Sequence, residues 1–267
     1  MTLGIIGCGK MGRALLGGIL KSGLYEPANV FVHDAYEPAV KTFVDELGVT
    51  AAGSNGRVVE HSDTVLLCVK PQIFPEMAAD IAGADAENRL LISIMAGIQI
   101  DAINSATGGS HRIIRVMPNT PALVGRGAAG FALGDSATGE DADLTEKLLR
   151  SVGYAVQVDE AGIDAVTAVS GSGPAYFFLM IEALIQGGID QGLDPEVARD
   201  LAIHTAAGAA ELLLETGESP AQLRENVTSP NGTTFAALES FRANDFERIV
   251  REAVKAAMDR SVELGKG

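Results

Sequence analysis

Three glycines near the start of the chain have the spacing of a site that binds phosphate groups. Gly7, Gly9 and Gly12 form a Gly-x-Gly-x-x-Gly motif directly after the apolar run 3–6. In such a motif the first glycine allows a tight turn, the second lets the backbone approach a pyrophosphate, and the third lets a helix pack closely. A diphosphate then binds the free N–H groups at the positive end of that helix. The motif predicts a dinucleotide cofactor, and a glycine-rich turn without a ligand is the alternative.

An acidic residue farther along the chain bears on which dinucleotide binds. Asp34 follows the predicted strand 29–33. At this position a carboxylate commonly accepts a hydrogen bond from the adenine ribose 2′-hydroxyl. It would repel a 2′-phosphate, and no arginine follows closely, so the local sequence favours NADH. Main-chain contacts or Lys41 could reverse this preference, and a plain turn aspartate is the alternative.

A second polar loop ends at Thr233 and Thr234 and precedes a predicted helix, 235–241. That helix has no carboxylate in its first turn, since Ala236 and Ala237 stand where a capping box would place Glu or Gln. Its first N–H groups are therefore open to an external anion, and the threonines add hydroxyl donors. The alternative is that one of the threonines caps its own helix.

The second half of the chain lacks the bases that oxidation of an alcohol or a 2-hydroxy acid needs. No lysine stands between Lys147 and Lys255, and His204, the histidine in this interval, lies in mid-helix, where a structural role is the more frequent one. Reduction of an imine suits such a site better, because a protonated C=N group is already electrophilic. The amine product can take its proton from a hydroxyl group or water. The helix start after Gly232 would provide the anion clamp that the substrate needs.

The elements that must position these residues change character along the chain. Short apolar strands alternate with helices in the first part, which predicts a doubly wound α/β sheet. Helical patterns alone follow, so we expect a dinucleotide-binding domain, 1–160, and a helical domain, 161–267. A turn at 170–174 is expected to start the helix 175–191, which is apolar nearly all round. Such a helix must be surrounded by protein, and this predicts a second subunit.

The amino-acid composition bears on which kinds of partner the protein binds. The 267 residues include 20 basic and 35 acidic side chains, a net charge of −15, whereas nucleic acid and anionic membranes attract clustered Lys and Arg. The most apolar run, 175–189, is broken by polar residues and is shorter than the roughly 20 residues of a membrane span. Cys8 and Cys68 indicate no disulfide framework, and the first strand begins just after Met1, without room for a leader. We expect a cytoplasmic enzyme with a small-molecule substrate and no metal, nucleic-acid or membrane partner.

Five motifs together resemble those of the pyrroline-5-carboxylate reductase family, which performs the last step of proline biosynthesis. The motifs are Gly-Cys-Gly-Lys-Met-Gly at 7–12, Val-Lys-Pro at 69–71, Met-Pro-Asn-Thr-Pro at 117–121, Ser-Gly-Ser-Gly-Pro-Ala-Tyr at 170–176 and Asn-Val-Thr-Ser-Pro-Asn-Gly-Thr-Thr at 226–234. The likeness covers essentially the whole chain, and the last two motifs at this separation are specific to the family. It implies an N-terminal Rossmann domain and an all-helical C-terminal dimerisation domain. It also implies a homodimer with interwoven helices, sometimes built into a larger ring.

The resemblance further implies the reaction and the roles of individual residues. NADPH or NADH would reduce 1-pyrroline-5-carboxylate, and the hydroxyl of Thr234 would donate the proton. The expected substrate contacts are Ser229, Gly232, Thr233 and Thr234. The cofactor contacts expected from the motifs and the resemblance together are Ile6, Gly7, Cys8, Gly9, Lys10, Met11, Gly12, Asp34, Asn55, Val69, Lys70, Pro71, Ala96, Gly97 and, from across the dimer, Asn226. Two residues depart from the family pattern: Asn231 replaces a frequent glycine, and Asp34 leaves the choice between NADH and NADPH open.

Two other functions remain open on the sequence. One is an oxidoreductase similar to the β-hydroxy-acid dehydrogenases, which share this layout but need the bases that the helical half lacks. The other is a non-catalytic protein that senses NAD(P) and could dispense with the substrate loop.

Overall fold

A computed structural model describes residues 1–265, and its first part is built on one eight-stranded sheet. The strands are β1 (Leu3–Ile6), β2 (Val30–His33), β3 (Thr50–Ala51), β4 (Thr64–Leu67), β5 (Leu90–Ser93), β6 (Arg112–Met117), β7 (Gly127–Leu133) and β8 (Gly153–Gln157). Their order across the sheet is β3-β2-β1-β4-β5-β6-β7-β8, and all neighbours are parallel except β6 and β7. The order reverses between β1 and β4, which makes that junction the point where open α/β sheets bind ligands.

Helices cover both faces of this sheet. They are α1 (Lys10–Lys21), α2 (Glu37–Leu47), α3 (Asn55–His61), α4 (Phe74–Ala82), α5 (Ile100–Ala106), α6 (Gly139–Arg150) and α7 (Ile163–Val166). Leu3 and Ile5 face the core beneath α1, α2 and α6, whereas Ile6 and Leu67 face the core beneath α3, α4 and α5. Because both faces are buried, β1, β4 and β5 consist of buried residues throughout.

Local sequence accounts for several of the helix ends. The Ser54 side chain accepts the N–H of Arg57 at the start of α3, and Thr138 and Asp141 form a capping box at the start of α6. Gly48 ends α2 in the left-handed conformation, with φ of 70°. The sequence pattern predicts these three helices at 38–47, 55–61 and 141–152, and their ends agree with it to within about two residues, because each end is set by neighbours in the chain.

The chain divides into two compact units. The first comprises Met1–Ser172 and the C-terminal segment that begins at Ala257, and the second is Gly173–Ala256. The remaining helices are α8 (Gly173–Asp190), α9 (Pro195–Thr216), α10 (Pro220–Asn226), α11 (Thr233–Ala243) and α12 (Phe246–Leu264), and α12 contributes to both units. The predicted division at 160/161 stays a prediction, and residues 266–267 of the predicted helical domain lie outside the described residues.

The predicted turn at 170–174 is wrong. The chain instead continues from α7 into a π-helical segment, Thr167–Gly171, with one bend at Ser172 before α8 begins. Ser172 has φ of −83° and ψ of −23°, which is not the extended backbone that a capping serine needs. The Ser170 hydroxyl donates to the carbonyl of Ala128 at 2.9 Å, so this serine is used in holding the segment to β7.

The apolar surface of α8 is exposed in the single chain. Phe177 retains 69% of its accessible surface and Leu179 retains 67%. One chain therefore does not surround this helix with protein. The prediction of a second subunit rests on that incomplete burial. Within the described residues, one helical stretch, Glu160–Asp190, is long and apolar enough to cross a membrane by length and composition.

Candidate active site

The loop from Gly7 to Gly12 leaves β1 in a turn that requires glycine at its first position. Gly7 has φ of 104°, and a Cβ there would lie 2.6 Å from the carbonyl carbon of Cys68. A Cβ on Gly12 would clash with the carbonyl oxygen of Gly7. The backbone thus confirms the tight turn expected at Gly7 and the close helix packing expected at Gly12.

The start of α1 has the features of an anion site. Gly9 is the N-cap residue, no side chain caps the helix, and its first turn contains no acidic residue. A Cβ on Gly9 would meet no described protein atom within 4 Å, so the space beside this backbone is open. Uncapped N–H groups and the helix dipole together attract a phosphate. These residues fit the diphosphate of a dinucleotide.

Asp34 uses its carboxylate to hold the backbone of the glycine loop. Its Oδ2 accepts the N–H of Cys8 at 2.7 Å, and its Oδ1 accepts the N–H of Tyr36 at 2.8 Å. Each carboxylate oxygen has two lone pairs, so capacity for a ribose hydroxyl remains. Burial, and to a lesser extent the charge of Asp34, raises the pKa of the Cys8 thiol to about 12. Asp34 therefore has a structural role in the loop, and its contact with a ribose stays a prediction.

A cavity of about 300 Å³ lies where β1, β2 and β4 end. It brings together six of the predicted cofactor residues, which are Gly7, Gly9, Asp34, Asn55, Val69 and Lys70. Parallel strands place the residues after their carboxyl ends at one edge of the sheet, and this edge is also the point where the strand order reverses. The first unit thus has a recess of suitable position and chemistry for a dinucleotide.

Part of the cavity wall was not predicted from the sequence. The additional lining residues are Ala35, Tyr36, Cys68, Ile73, Glu76 and Met77. Ala35 and Cys68 adjoin the predicted contacts Asp34 and Val69 in the chain, so their nearness in sequence was a usable signal. Glu76 and Met77 belong to α4, and only the fold brings that helix beside the glycine loop.

The other predicted cofactor residues of the first unit lie near this edge but outside the cavity lining. Ile6, Cys8, Lys10, Met11 and Gly12 belong to the end of β1, the glycine loop and the first turn of α1. Pro71 begins a short 3₁₀ turn after β4. Ala96 and Gly97 follow β5, which pairs in parallel with β4, so their loop leaves the sheet at the same edge.

The start of α11 is a second uncapped helix end. Gly232 is its N-cap residue, and no side chain, including those of Thr233 and Thr234, caps it among the described residues. The first bond within the helix joins the N–H of Ala236 to the carbonyl of Gly232 at 3.1 Å. The alternative that a threonine caps its own helix is therefore wrong, and the helix begins at Thr233 instead of at residue 235. Three backbone N–H groups at this end remain available to an anion.

A tight turn precedes this helix and presents its first residues. Asn231 has φ of 59°, a left-handed conformation that asparagine adopts more readily than most residues. Gly232 donates its N–H to the carbonyl of Ser229 at 3.0 Å, and a Cβ on Gly232 would clash with the Ser229 hydroxyl oxygen. The four predicted substrate residues therefore belong to one turn and the helix start after it.

Asn226 and His204 lie elsewhere in the second unit. Asn226 ends α10, where its side chain donates to Glu218 at 3.3 Å and accepts from Gln222 at 2.9 Å. Its contact with a cofactor across the dimer stays a prediction. His204 is exposed on α9. Across residues 1–265, no group of three or more His, Cys, Asp or Glu side chains is arranged to hold a metal ion.

Two family models match the chain. Residues 160–264 match a model described as pyrroline-5-carboxylate reductase dimerisation. Residues 2–97 match a model described as NADP oxidoreductase, coenzyme F420-dependent. The first match includes α8 and the turn before α11, and the second includes the glycine loop and the Ala96–Gly97 loop.

Individual proteins resemble the chain over its whole length. It is 40% identical to a pyrroline-5-carboxylate reductase of Methanosarcina acetivorans, over 99% of this chain and 98% of that one. It is also 40% identical to a pyrroline-5-carboxylate reductase of Pseudomonas aeruginosa, over 99% and 97% of the two chains. A solved pyrroline-5-carboxylate reductase from Coxiella burnetii superposes with a TM-score of 0.94 at 34% identity, covering 100% of this chain and 99% of that one. A Plasmodium falciparum pyrroline carboxylate reductase solved with NADP bound gives a TM-score of 0.85 at 31% identity, covering 99% and 98%.

Proposed function

This chain belongs to the pyrroline-5-carboxylate reductase family, and from that membership we propose that it reduces 1-pyrroline-5-carboxylate to L-proline, the last step of proline biosynthesis. NADPH or NADH supplies a hydride to the imine carbon, and the ring nitrogen takes up a proton. The observation that carries this proposal is the uncapped start of α11 behind a polar turn. A carboxylate substrate is the anion that such a helix end suits.

The residues that we propose to bind the substrate belong to the second unit. The N–H groups of Thr233 and Thr234 and the Ser229 hydroxyl bind the substrate carboxylate, and Gly232, whose own N–H donates to the Ser229 carbonyl, lies beside it. The Thr234 hydroxyl donates the proton to the ring nitrogen and is replenished from water. Because Thr234 makes no capping bond, its hydroxyl is free of the structural task that a threonine in this position often has.

The residues that we propose to bind the cofactor belong to the first unit. The uncapped start of α1 binds the diphosphate, and the cavity beside β1 and β4 receives the nucleotide. We assign to this site the fourteen predicted residues of the first unit: Ile6, Gly7, Cys8, Gly9, Lys10, Met11, Gly12, Asp34, Asn55, Val69, Lys70, Pro71, Ala96 and Gly97. Support comes from the geometry of the glycine loop and from the family match over residues 2–97.

The purified protein is expected to oxidise NADPH or NADH only when 1-pyrroline-5-carboxylate is present. Absorbance at the reduced nicotinamide band measures this directly, and 2-oxo acids serve as the comparison substrates. Equal turnover of 2-oxo acids without turnover of the imine would favour a hydroxy-acid dehydrogenase. If the midpoint of thermal unfolding shifts with dinucleotide but not with proline, the result would favour a non-catalytic sensor instead.

We expect Asp34→Ser to raise the kcat/KM ratio of NADPH over NADH by about tenfold or more. A carboxylate about 4 Å from a 2′-phosphate repels it by about 1 kcal/mol in bulk water and by more beside a protein surface, and 1.4 kcal/mol corresponds to a factor of ten. Steady-state kinetics with both cofactors measure the ratio in wild type and variant.

The control for this substitution is Asp34→Asn. Asparagine keeps an oxygen that can accept the N–H of Cys8, yet it removes the negative charge. If charge sets the preference, Asn and Ser move the ratio in the same direction. An unchanged ratio in both variants would show that Asp34 acts only on the loop backbone.

The protein forms a dimer through its helical part, since residues 160–264 match the dimerisation domain of the family. This match includes α8, whose apolar surface one chain leaves exposed, and it favours a subunit contact over a membrane for that helix. We further propose a ring of such dimers and a cytoplasmic location without nucleic-acid partners. Light scattering that returns only the mass of two chains would contradict the ring, and recovery in the membrane fraction of cells would contradict the location.

A further inference from the structure

A buried arginine that the proposed reaction does not use joins several elements of the first unit. Arg115 lies on β6 with 3% of its surface exposed. Its Nη1 lies 3.3 Å from Oε1 of Glu160, and its Nη2 lies 3.8 Å from Oδ1 of Asp164. A buried guanidinium is tolerated only where carboxylates compensate its charge, and here two of them do so.

Each of these carboxylates also accepts a hydrogen bond from a more distant part of the chain. Oε1 of Glu160 accepts the N–H of Ile100, the first residue of α5, at 2.8 Å. Oδ1 of Asp164 accepts the hydroxyl of Ser261, near the end of α12, at 2.7 Å. Arg115, Glu160, Asp164, Ser261 and the N–H of Ile100 therefore form one connected set, called here the Arg115 network.

The two outer ends of the Arg115 network hold the loop 94–99, which contains the predicted cofactor contacts Ala96 and Gly97. Ile100 is the residue that directly follows this loop, so Glu160 fixes the point where the loop enters α5. The last turn of α12 lies against the loop itself. A Cβ on Gly97, whose φ is 77°, would lie 3.3 Å from backbone and side-chain atoms of Leu264.

We propose that the Arg115 network is a positioning device for the dinucleotide, with Ser261 and Glu160 as positioning residues. It keeps the loop 94–99 in one arrangement before the cofactor arrives. A loop that is already ordered loses less conformational entropy on binding, so binding is tighter. The inference rests on the proposed function, which assigns Ala96 and Gly97 to the cofactor. Loosening either end should therefore weaken the dinucleotide and leave the imine site on α11 unaffected.

Substitutions at the two ends test this proposal without leaving two facing carboxylates, as a change of Arg115 would. Ser261→Ala removes one hydroxyl, and Glu160→Ala removes the acceptor of the Ile100 N–H. We expect each to raise the Kd of NADPH, measured by calorimetry, about tenfold, as for loss of a hydrogen bond to a charged group. The KM of the imine should change less than about twofold. In the protein without dinucleotide, amide hydrogens of residues 94–100 should exchange faster.

Two further variants separate positioning from general stability. Ser261→Thr keeps the hydroxyl and should restore the wild-type Kd. Ser62→Ala removes another buried serine hydroxyl, one that has no hydrogen-bond partner within the described chain, and should leave both the Kd and the loop exchange unchanged.

The possible results separate this inference from the function on which it rests. If wild type binds NADPH but Ser261→Ala and Glu160→Ala bind it equally well, the positioning role is overturned and the proposed function stands, even if both variants melt earlier. If wild type binds neither NADPH nor NADH, the proposed function fails and the positioning role fails with it.

Discussion

Replacement of Thr234 by alanine is expected to lower kcat about 10²-fold, the usual size of the effect when one positioned donor is lost. Thr234 is the second residue of α11, is half-buried, and makes no capping bond, so its hydroxyl can be removed without breaking a described structural contact. The thermal midpoint should therefore remain near that of wild type. Steady-state assays with the imine at saturation measure kcat, and scanning calorimetry measures the midpoint of thermal unfolding.

The chain offers two matched controls for Thr234. Thr234→Ser keeps the hydroxyl and should retain most of the activity. Thr233→Ala makes the same change one residue earlier, at an exposed position, and should affect the KM of the imine more than kcat. A Thr234→Ala enzyme with unchanged kcat would remove this residue from the mechanism and leave water as the proton donor.

Gly9→Ala is expected to weaken binding of NADPH and NADH about 10²-fold without unfolding the protein. Gly9 has φ of −79° and ψ of −174°, an extended backbone that alanine adopts freely, and the new methyl group would meet no described atom within 4 Å. The methyl would instead occupy the space that the diphosphate needs. Displacing a bound group by about 1 Å can cost such a factor. Calorimetric titration measures the Kd, and thermal unfolding verifies the fold.

Two other glycines make this prediction specific. Gly17→Ala adds the same methyl inside α1, again with no described atom within 4 Å, and should leave the Kd unchanged while stabilising the helix by about 0.5–1 kcal/mol. Gly7→Ala should lower stability, because φ is 104° and the backbone of Cys68 lies too close. If Gly9→Ala binds dinucleotide as wild type does, the start of α1 is not the diphosphate site.

Much of the fold follows from local patterns. The sequence pattern predicts helices at 55–61, 74–82 and 195–216, and α3, α4 and α9 have these bounds, two of them capped by Ser54 and Asp194. The apolar pattern predicts strands at 64–71 and 90–95, but β4 and β5 end earlier, at Leu67 and Ser93, because apolar residues continue into the loops that line the sheet edge. The antiparallel pairing of β6 and β7 has no local signal and was not predicted.

Some parts of the candidate site could likewise be predicted from local sequence, and others could not. The glycine motif predicted a cofactor site, and the polar turn with its threonines predicted an anion-binding site, because each is a feature of consecutive residues. The sequence left open whether a threonine capped α11, and the structure excluded it. Glu76 and Met77 could not be found from the sequence, since they reach the cavity only through the placement of α4.

The order of residues predicted the family, the reaction and the positions of the two helix starts to within two residues, because turns and helix ends arise from interactions among close neighbours. Only the folded chain revealed that Asp34 accepts the N–H of Cys8 and that Ser261 donates to Asp164, a residue 97 positions away. Such bonds depend on which elements the sheet brings side by side. For that reason the glycine loop at 7–12 could be predicted from the sequence, whereas the Arg115 network that supports the loop 94–99 could not.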